Sequence, residues 1–527
     1  MKILFINACV RPDSKLKIPN VGLAYVMTAA QRAGFDFDLI DIDAHRYSDE
    51  EVDRLVRQAK YDVVALGSLV STYGKLKAMF RMIRDHHPNA TIVTGNTLGT
   101  SIPAIVLERT EADVCVVGEG DETFVDLVRA LDEGRSLRTV PGIAYRERGT
   151  GAARATLVSD DRRIRTIEGT TLGNGDVFVH NGERPVIENL DSIPFPNYDL
   201  FAMDLYLQAS KHVIANKAGL PIPFEERVAM PVNTARGCAF HCNFCFHAFQ
   251  DRRYRTRSAE NILAEIKALK SKYGINYINF WDELTFFHIK QAETFADQMI
   301  EANLGIFWIA SCRSELLVRR EGGPAVAKKL KQANCHGLGF ALETGDPDIL
   351  KFMNKANTVN EFVDQCHVLH EASVDVYTSI IVGYPQETPE TIDTTFRVLS
   401  EARVYPSVGF LQLMPKTPMY DYAREHGHIT DEEAYLMKMG DRQDLRINLT
   451  KYDDEFLMTY TVEKLKALNA ELKTNVPSDS LIKTKGFYAV KKKEQEEQAE
   501  TFLEGFGVAS DVLRSSDWTG GPGPAKC

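Results

Sequence analysis

Over residues 1–140, short apolar runs alternate with stretches of helical period. Residues 2–7, 37–42, 62–67, 91–94 and 113–117 have the length and aliphatic content of buried strands. The pattern between the first two predicts a helix over 21–33, stopped by Gly34. Another is predicted over 122–131, with Asp121 placed to cap it by accepting orphan backbone N–H groups. Strand and helix in strict alternation predict an α/β fold: a doubly wound parallel sheet of five strands, with its ligand at the C-terminal strand ends.

Residues 141–225 break this rhythm. Turn formers gather around 149–151 and 173–175, and Leu190-Asp191-Ser192-Ile193-Pro194-Phe195-Pro196 is too proline-rich for regular structure. A connector with a few strands is expected. The alternation returns over 226–430, with candidate strands at 229–234, 277–281, 307–311, 337–342, 377–382 and 408–413. Amphipathic helices such as 259–273 and 289–302 lie between them. Six such units predict an open, partial (β/α)6 barrel, with reacting groups at the C-terminal strand ends. Over 431–527 strands are absent from the pattern. A helix is expected over 456–473, a solvated charged face over 491–497 and a disordered tail over 519–525.

The 527 residues are 44% hydrophobic and 26% charged, ordinary for a globular chain of several domains. A net charge of −11 disfavours a broad nucleic-acid surface. No apolar run approaches the roughly 18 residues of a membrane span. The apolar N-terminus is too short for a signal sequence and reads as a first strand, so a cytoplasmic location is expected. Of nine cysteines, Cys9, Cys115, Cys312, Cys335 and Cys366 sit in or beside apolar segments and read as small buried hydrophobes; Cys527 ends a Gly/Pro-rich tail.

The remaining three stand in Arg236-Gly237-Cys238-Ala239-Phe240-His241-Cys242-Asn243-Phe244-Cys245, directly after the first strand of the second α/β unit. Thiolates are the usual ligands of iron–sulfur clusters. Three on one loop can hold three irons of a cubane and leave the fourth open to a small molecule, as reactive metal sites require. The competing readings are a structural zinc site completed by His241 or His247, which lacks the usual second cysteine pair, and a redox pair of Cys242 and Cys245, which leaves Cys238 idle.

The Cys-x3-Cys-x2-Cys loop at the end of a first barrel strand resembles the radical S-adenosylmethionine (SAM) superfamily over about residues 228–425. The resemblance implies a 4Fe-4S cluster on Cys238, Cys242 and Cys245. It also implies SAM contacts from Phe244, beside the adenine; from Asp282 and Glu283, at the end of the second strand; and from Arg313 and Glu343, after the third and fourth. The segment Ile381-Val382-Gly383-Tyr384-Pro385 resembles the fifth-strand motif along the adenine, which places Gly383 there. Taken singly, Asp282 or Glu343 could cap a helix and Gly383 could turn the chain. The implied chemistry is electron transfer from the cluster into the SAM sulfonium, giving a 5′-deoxyadenosyl radical that removes hydrogen from an unactivated carbon.

An α/β domain ahead of such a barrel, joined by a Leu-Asp-x-x-Pro-Phe-Pro segment, resembles the cobalamin-binding subfamily. The resemblance places cobalamin against Ser68, Ser71 and Thr72 after the third strand, Gly95 and Asn96 after the fourth, and Gly118, Glu119 and Gly120 after the fifth. Small residues there let the backbone approach a bulky ligand. The chain departs from the Asp-x-His-x-x-Gly signature that supplies a cobalt ligand: residues 8–20 contain no histidine, and Asp43-Ala44-His45 follows the second strand instead. A nicotinamide domain is disfavoured by the missing Gly-x-Gly-x-x-Gly. A methylthiotransferase is disfavoured because only Cys9 and Cys115 lie in this domain.

The expected function is cobalamin-dependent methyl transfer to an unactivated carbon, with two SAM molecules supplying methyl group and radical. Alternatives are cyclisation, rearrangement or oxidation by a cobalamin-type relative, and a non-catalytic cobalamin or Fe-S sensor. A small-molecule or natural-product substrate and an electron donor such as flavodoxin or ferredoxin are the expected partners. Residues 416–420 and the helices after 430 are expected to cap the cavity.

Overall fold

The computed structural model describes residues 1–477 apart from residue 13 and segments 148–155, 161–162, 173–174, 215–219, 247–253 and 441–444, together with residue 481. The charged run at 491–497 and the tail at 519–525 lie outside the described residues, as do His247, most of the predicted turns at 149–151 and 173–175, and Cys527.

The first sheet begins with β1 (Ile3–Asn7), β2 (Phe37–Asp41), β3 (Val63–Ala65), β4 (Thr91–Thr94) and β5 (Val114–Val116), paired in parallel in the order β2-β1-β3-β4-β5. Successive side chains of a strand point to opposite faces, and β1 is apolar on both. Ile3 and Phe5 join a core with Met27 and Phe124; Leu4 and Ile6 join another with Leu76 and Phe80. Helices therefore cover both faces, and β1 and β3 meet at the switch point where such sheets bind ligands.

The sheet does not stop at five strands. β6 (Ile143–Glu147), β7 (Thr156–Asp160), β8 (Arg163–Thr171) and β9 (Val177–His180) extend it antiparallel beyond β5, in the order β6-β9-β8-β7, to nine strands. The Pro-rich segment that follows ties the two halves together. Asn197 donates its N–H to Thr28 Oγ1 at 2.7 Å on the first half, and Asp191 Oδ1 accepts the Ser258 N–H at 2.9 Å from the second.

The second α/β unit has β10 (Ala229–Val232), then a short antiparallel pair β11 (Ala235–Arg236) and β12 (Arg255–Thr256), then β13 (Tyr277–Phe280), β14 (Phe307–Ser311), β15 (Cys335–Gly339) and β16 (Asp375–Tyr377). β10, β13, β14, β15 and β16 form one parallel sheet. The predicted fifth strand divides at Thr378, whose hydroxyl accepts the Leu342 N–H at 3.1 Å in place of a ladder bond. β17 (Ser379–Val382) then pairs with β18 (Ser407–Phe410), and a bridge from Glu343 to Ile380 continues the curve. The result is an open six-stranded barrel.

The C-terminal segment folds back on both halves. The Tyr73 hydroxyl donates to Glu433 at 2.9 Å, and the helix Asp454–Leu472 places Lys464 2.6 Å from Asp393 on the helix Pro389–Glu401. Among the described residues no helix is long and apolar enough to cross a membrane.

Candidate active site between the two sheets

A cavity of about 860 Å³ opens where the C-terminal strand ends of the two sheets face each other. The first sheet contributes all eight residues expected at a cobalamin crevice: Ser68, Ser71, Thr72, Gly95, Asn96, Gly118, Glu119 and Gly120. Close backbone approach is built in. A Cβ on Gly67 would stand 3.2 Å from the Gly95 backbone, and Gly118 takes a φ of +80°, which favours glycine. His45 is not on this wall; its ring stacks on Tyr47 at 4.7 Å. The barrel contributes Asn233, Arg236, Gly237, Trp281 and Glu283, and the C-terminal part adds Gln412 and Gly440. Of the segment expected to cap the cavity, Met419 and Tyr420 pack in the core, as Met and Tyr there more often do than serve recognition, while Lys416 donates to Thr100 O at 2.9 Å.

The cysteine loop sits beside this cavity, closed at its base by β11 and β12, where Arg236 pairs with Arg255 across the ladder. Its far side is pinned by Asn243, all of whose polar groups are bonded. The N–H goes to Met353 O (2.9 Å) and the side-chain amide to Phe352 O (2.7 Å). The side-chain oxygen accepts from the Tyr384 hydroxyl (2.9 Å), and the carbonyl accepts from Met419 N–H (3.1 Å). Phe244 meets the Tyr384 ring edge-to-face at 6.4 Å. Cys238, Cys242 and Cys245 form no disulfide, and burial pushes all three thiols up from the ordinary range. Arg313 and Lys355 act the other way on Cys242.

Three thiols on one loop, Cys242 buried and Cys238 and Cys245 half-buried, with cations beside them, suit an anionic iron–sulfur ligand set, in which each thiolate reaches a different iron. Among the described residues no three His, Cys, Asp or Glu side chains converge as ligands of a single metal ion, and His241 is exposed.

The residues expected around SAM divide into three groups. Glu283 lines the cavity. Phe244, Arg313, Glu343 and Gly383 gather on the cysteine side, away from the cavity wall. Arg313 lies 3.8 Å from the Phe240 ring centre, and Glu343, at φ +65°, pairs with the buried Lys355 at 2.7 Å. Gly383 (φ +110°) donates its N–H to the buried Glu387, whose carboxyl burial pushes up to about 7. Asp282 faces neither space. Its carboxylate accepts from the N–H groups of Thr234 (2.8 Å) and Ala235 (3.2 Å), the Thr234 hydroxyl (2.6 Å), the Asn233 amide (3.2 Å) and the Thr285 hydroxyl (3.1 Å). It is committed to bracing the strand that leads into the cysteine loop.

Asp121 also differs from expectation. The helix begins at Gly120, so Asp121 lies inside its first turn with no cap to make. It binds Arg236 through two bonds of 2.9 Å instead.

Residues 232–399 match the model of the radical SAM superfamily, and residues 9–128 match that of the B12-binding domain. The chain is a radical SAM protein with a B12-binding domain. The cofactors of this radical SAM protein are accordingly a 4Fe-4S cluster, SAM and cobalamin. It is 27% identical over 408 residues to an uncharacterized methyltransferase of Pyrococcus horikoshii, covering 77% of this chain and 78% of that one. It is 25% identical over 446 residues to an anaerobic magnesium-protoporphyrin IX monomethyl ester cyclase of Rubrivivax gelatinosus, covering 82% and 72%. Its fold matches a radical SAM methyltransferase of Kitasatospora setae with cobalamin and [4Fe-4S] cluster bound, at a TM-score of 0.63 and 16% identity over 91% of each chain.

Sequence reading missed Asn233, Arg236, Trp281 and Gln412 on the cavity wall of the radical SAM protein, and the Glu343–Lys355 pair. Arg236, two residues before Cys238, was the visible signal.

Proposed function

We propose that this protein is a cobalamin-dependent radical SAM C-methyltransferase. Its domains are taken as 1–140 for cobalamin, 141–225 as connector, 226–430 as barrel and 431–527 as C-terminal extension. The observation that carries the reading is the single cavity walled by the first sheet's strand ends on one side and the base of the cysteine loop on the other. With cobalamin in that cavity and the cluster and SAM on the cysteine side beside it, the cluster and SAM would supply a 5′-deoxyadenosyl radical and cobalamin a methyl carrier.

The chain's own residues do the rest. Cys238, Cys242 and Cys245 hold the cluster, and Asn243 and Asp282 fix their loop. Phe244, Arg313, Glu343 and Gly383 shape the SAM side, with Glu283 reaching it from the cavity; Asp282 supports the same strand end without contacting SAM. Ser68, Ser71, Thr72, Gly95, Asn96, Gly118, Glu119 and Gly120 hold cobalamin. Trp281, half exposed on the barrel wall, offers a flat apolar surface to a substrate carbon skeleton. Holding reactants in one enclosed space supplies much of a rate enhancement and keeps water from the radical. We take the substrate to be a small molecule or natural product. The reductant is taken to be a flavodoxin or ferredoxin, and the compartment to be the cytoplasm, where thiols and clusters stay reduced.

Similarity to magnesium-protoporphyrin monomethyl ester cyclases favours cyclisation as the second reading. Anaerobic reconstitution followed by metal and corrin analysis tests the cofactors, with about four irons and one cobalamin per chain expected. Transfer of label from methyl-labelled SAM into product separates the two readings. Turnover without label transfer would rule out methylation.

A further inference from the structure

Two carboxylates and two guanidiniums meet at the seam between the halves. Glu119 and Asp121 belong to the loop and first helical turn after β5, on the cavity wall. Arg236 and Arg255 are the paired residues of β11 and β12 that close the cysteine loop. Arg236 contacts Asp121 through two bonds of 2.9 Å and Glu119 at 3.1 Å; Arg255 contacts Glu119 at 2.8 Å and Ile187 O at 2.7 Å. The second oxygen of Glu119 accepts the Ile187 N–H at 2.7 Å. Side-chain exposures are 5% for Glu119 and Arg255, 11% for Asp121 and 13% for Arg236, so solvent screens the group little.

Buried ion pairs are poor sources of net stability, because desolvation offsets most of the Coulomb gain. They are good at fixing geometry: a two-bonded Arg–carboxylate contact sets both distance and orientation. Here the fixed geometry joins the wall assigned to cobalamin with the loop assigned to the cluster. We propose that Arg236 and Arg255 are positioning residues which, through Asp121 and Glu119, couple the cobalamin site to the cluster site, so that each is bound better when the other is in place. The inference rests on the assignment of the two sites above. Coupling of this kind is reciprocal, and typical couplings change affinity by roughly 5- to 150-fold.

The test is the dissociation constant of hydroxocobalamin, read by absorbance under anaerobic conditions, for cluster-free and cluster-reconstituted protein. In the wild type the cluster-loaded form binds at least about fivefold more tightly. In Arg236→Gln and Asp121→Asn the two constants converge, and in Asp121→Glu, which keeps the carboxylate, the ratio returns. A clamp that served only to hold the fold would weaken both constants alike and leave the ratio at its wild-type value; that result, or a wild-type ratio of one, overturns the proposal. Arg255→Gln, which removes the 2.8 Å contact to Glu119 from outside both sites, gives the same reading if Arg236→Gln does not fold. Failure of the wild type to bind cobalamin in either state would instead overturn the site assignment, and the coupling with it.

Discussion

Asp282 Oδ1 accepts the backbone N–H of Thr234 at 2.8 Å while its Oδ2 accepts the same residue's hydroxyl at 2.6 Å. One carboxylate thus holds the residue four positions ahead of Cys238. An amide in its place would turn N–H groups toward donors. Asp282→Asn is expected to cost about 1–3 kcal/mol. Because the strain falls at the root of the cysteine loop, iron retained after desalting should drop with the melting temperature. A variant that melts lower yet keeps its full iron content would show that the brace serves the barrel and not the loop.

Cys242 is the most enclosed of the three cysteines, with Arg313 and Lys355 both acting to lower its thiol pKa against the effect of burial. Cys242→Ala should abolish the 4Fe-4S absorbance and SAM cleavage to 5′-deoxyadenosine, leaving far-ultraviolet circular dichroism unchanged. SAM cleavage at the wild-type rate would refute the ligand assignment.

Glu343 and Lys355 are each 8% exposed and pair at 2.7 Å. Neutralising one member strands the other's charge in the interior, which typically costs about 3–5 kcal/mol. Glu343→Gln should therefore lower denaturant stability by that order, whereas the double variant Glu343→Gln, Lys355→Met should recover much of the loss. If the single variant unfolds at the wild-type midpoint, the pair carries no buried charge.

The residues involved in these tests differ in how visible they were from the chain alone. The parallel strands were legible because an apolar run such as Ile3–Asn7 is buried on both faces, and the cysteine loop because its spacing is local. What could not be read was pairing between distant charged groups. Arg236 meets Asp121 across 115 residues and Glu119 across 117, and nothing in a surface-like Arg or Asp marks it as buried. Asp121 had the position of a helix cap, but the helix starts one residue earlier and a cation claims its oxygens. Asp282 sat where a SAM contact was expected, yet five nearby donors occupy it. The extension of the first sheet by β6–β9 escaped notice because edge pairing depends on where a segment is delivered, not on its own pattern.

Ser71 stands on the cavity wall in the turn after β3. Its side chain is only part-buried, so a larger one can be accommodated by the fold while filling the space assigned to cobalamin. Ser71→Trp should raise the cobalamin dissociation constant by about tenfold or more, the loss of roughly 1.4 kcal/mol of binding, with cluster content unchanged. Unaltered cobalamin affinity would move the corrin away from this wall.

Glu387 is buried beneath the Gly383 turn, and burial raises its carboxyl to about 7, from an ordinary 4.5. Below about pH 4.5 both folded and unfolded chains carry the proton. Between about 4.5 and 7 only the folded chain does, so this group's contribution to stability declines as pH rises through that window and is level above it. The shift corresponds to at most about 3–4 kcal/mol. Glu387→Gln keeps an acceptor for the Gly383 N–H but cannot ionise. Its stability relative to the wild type should therefore increase from pH 5 to pH 8, measured by urea unfolding at each pH. A constant difference across the range would mean that Glu387 titrates alike in the folded and unfolded chains.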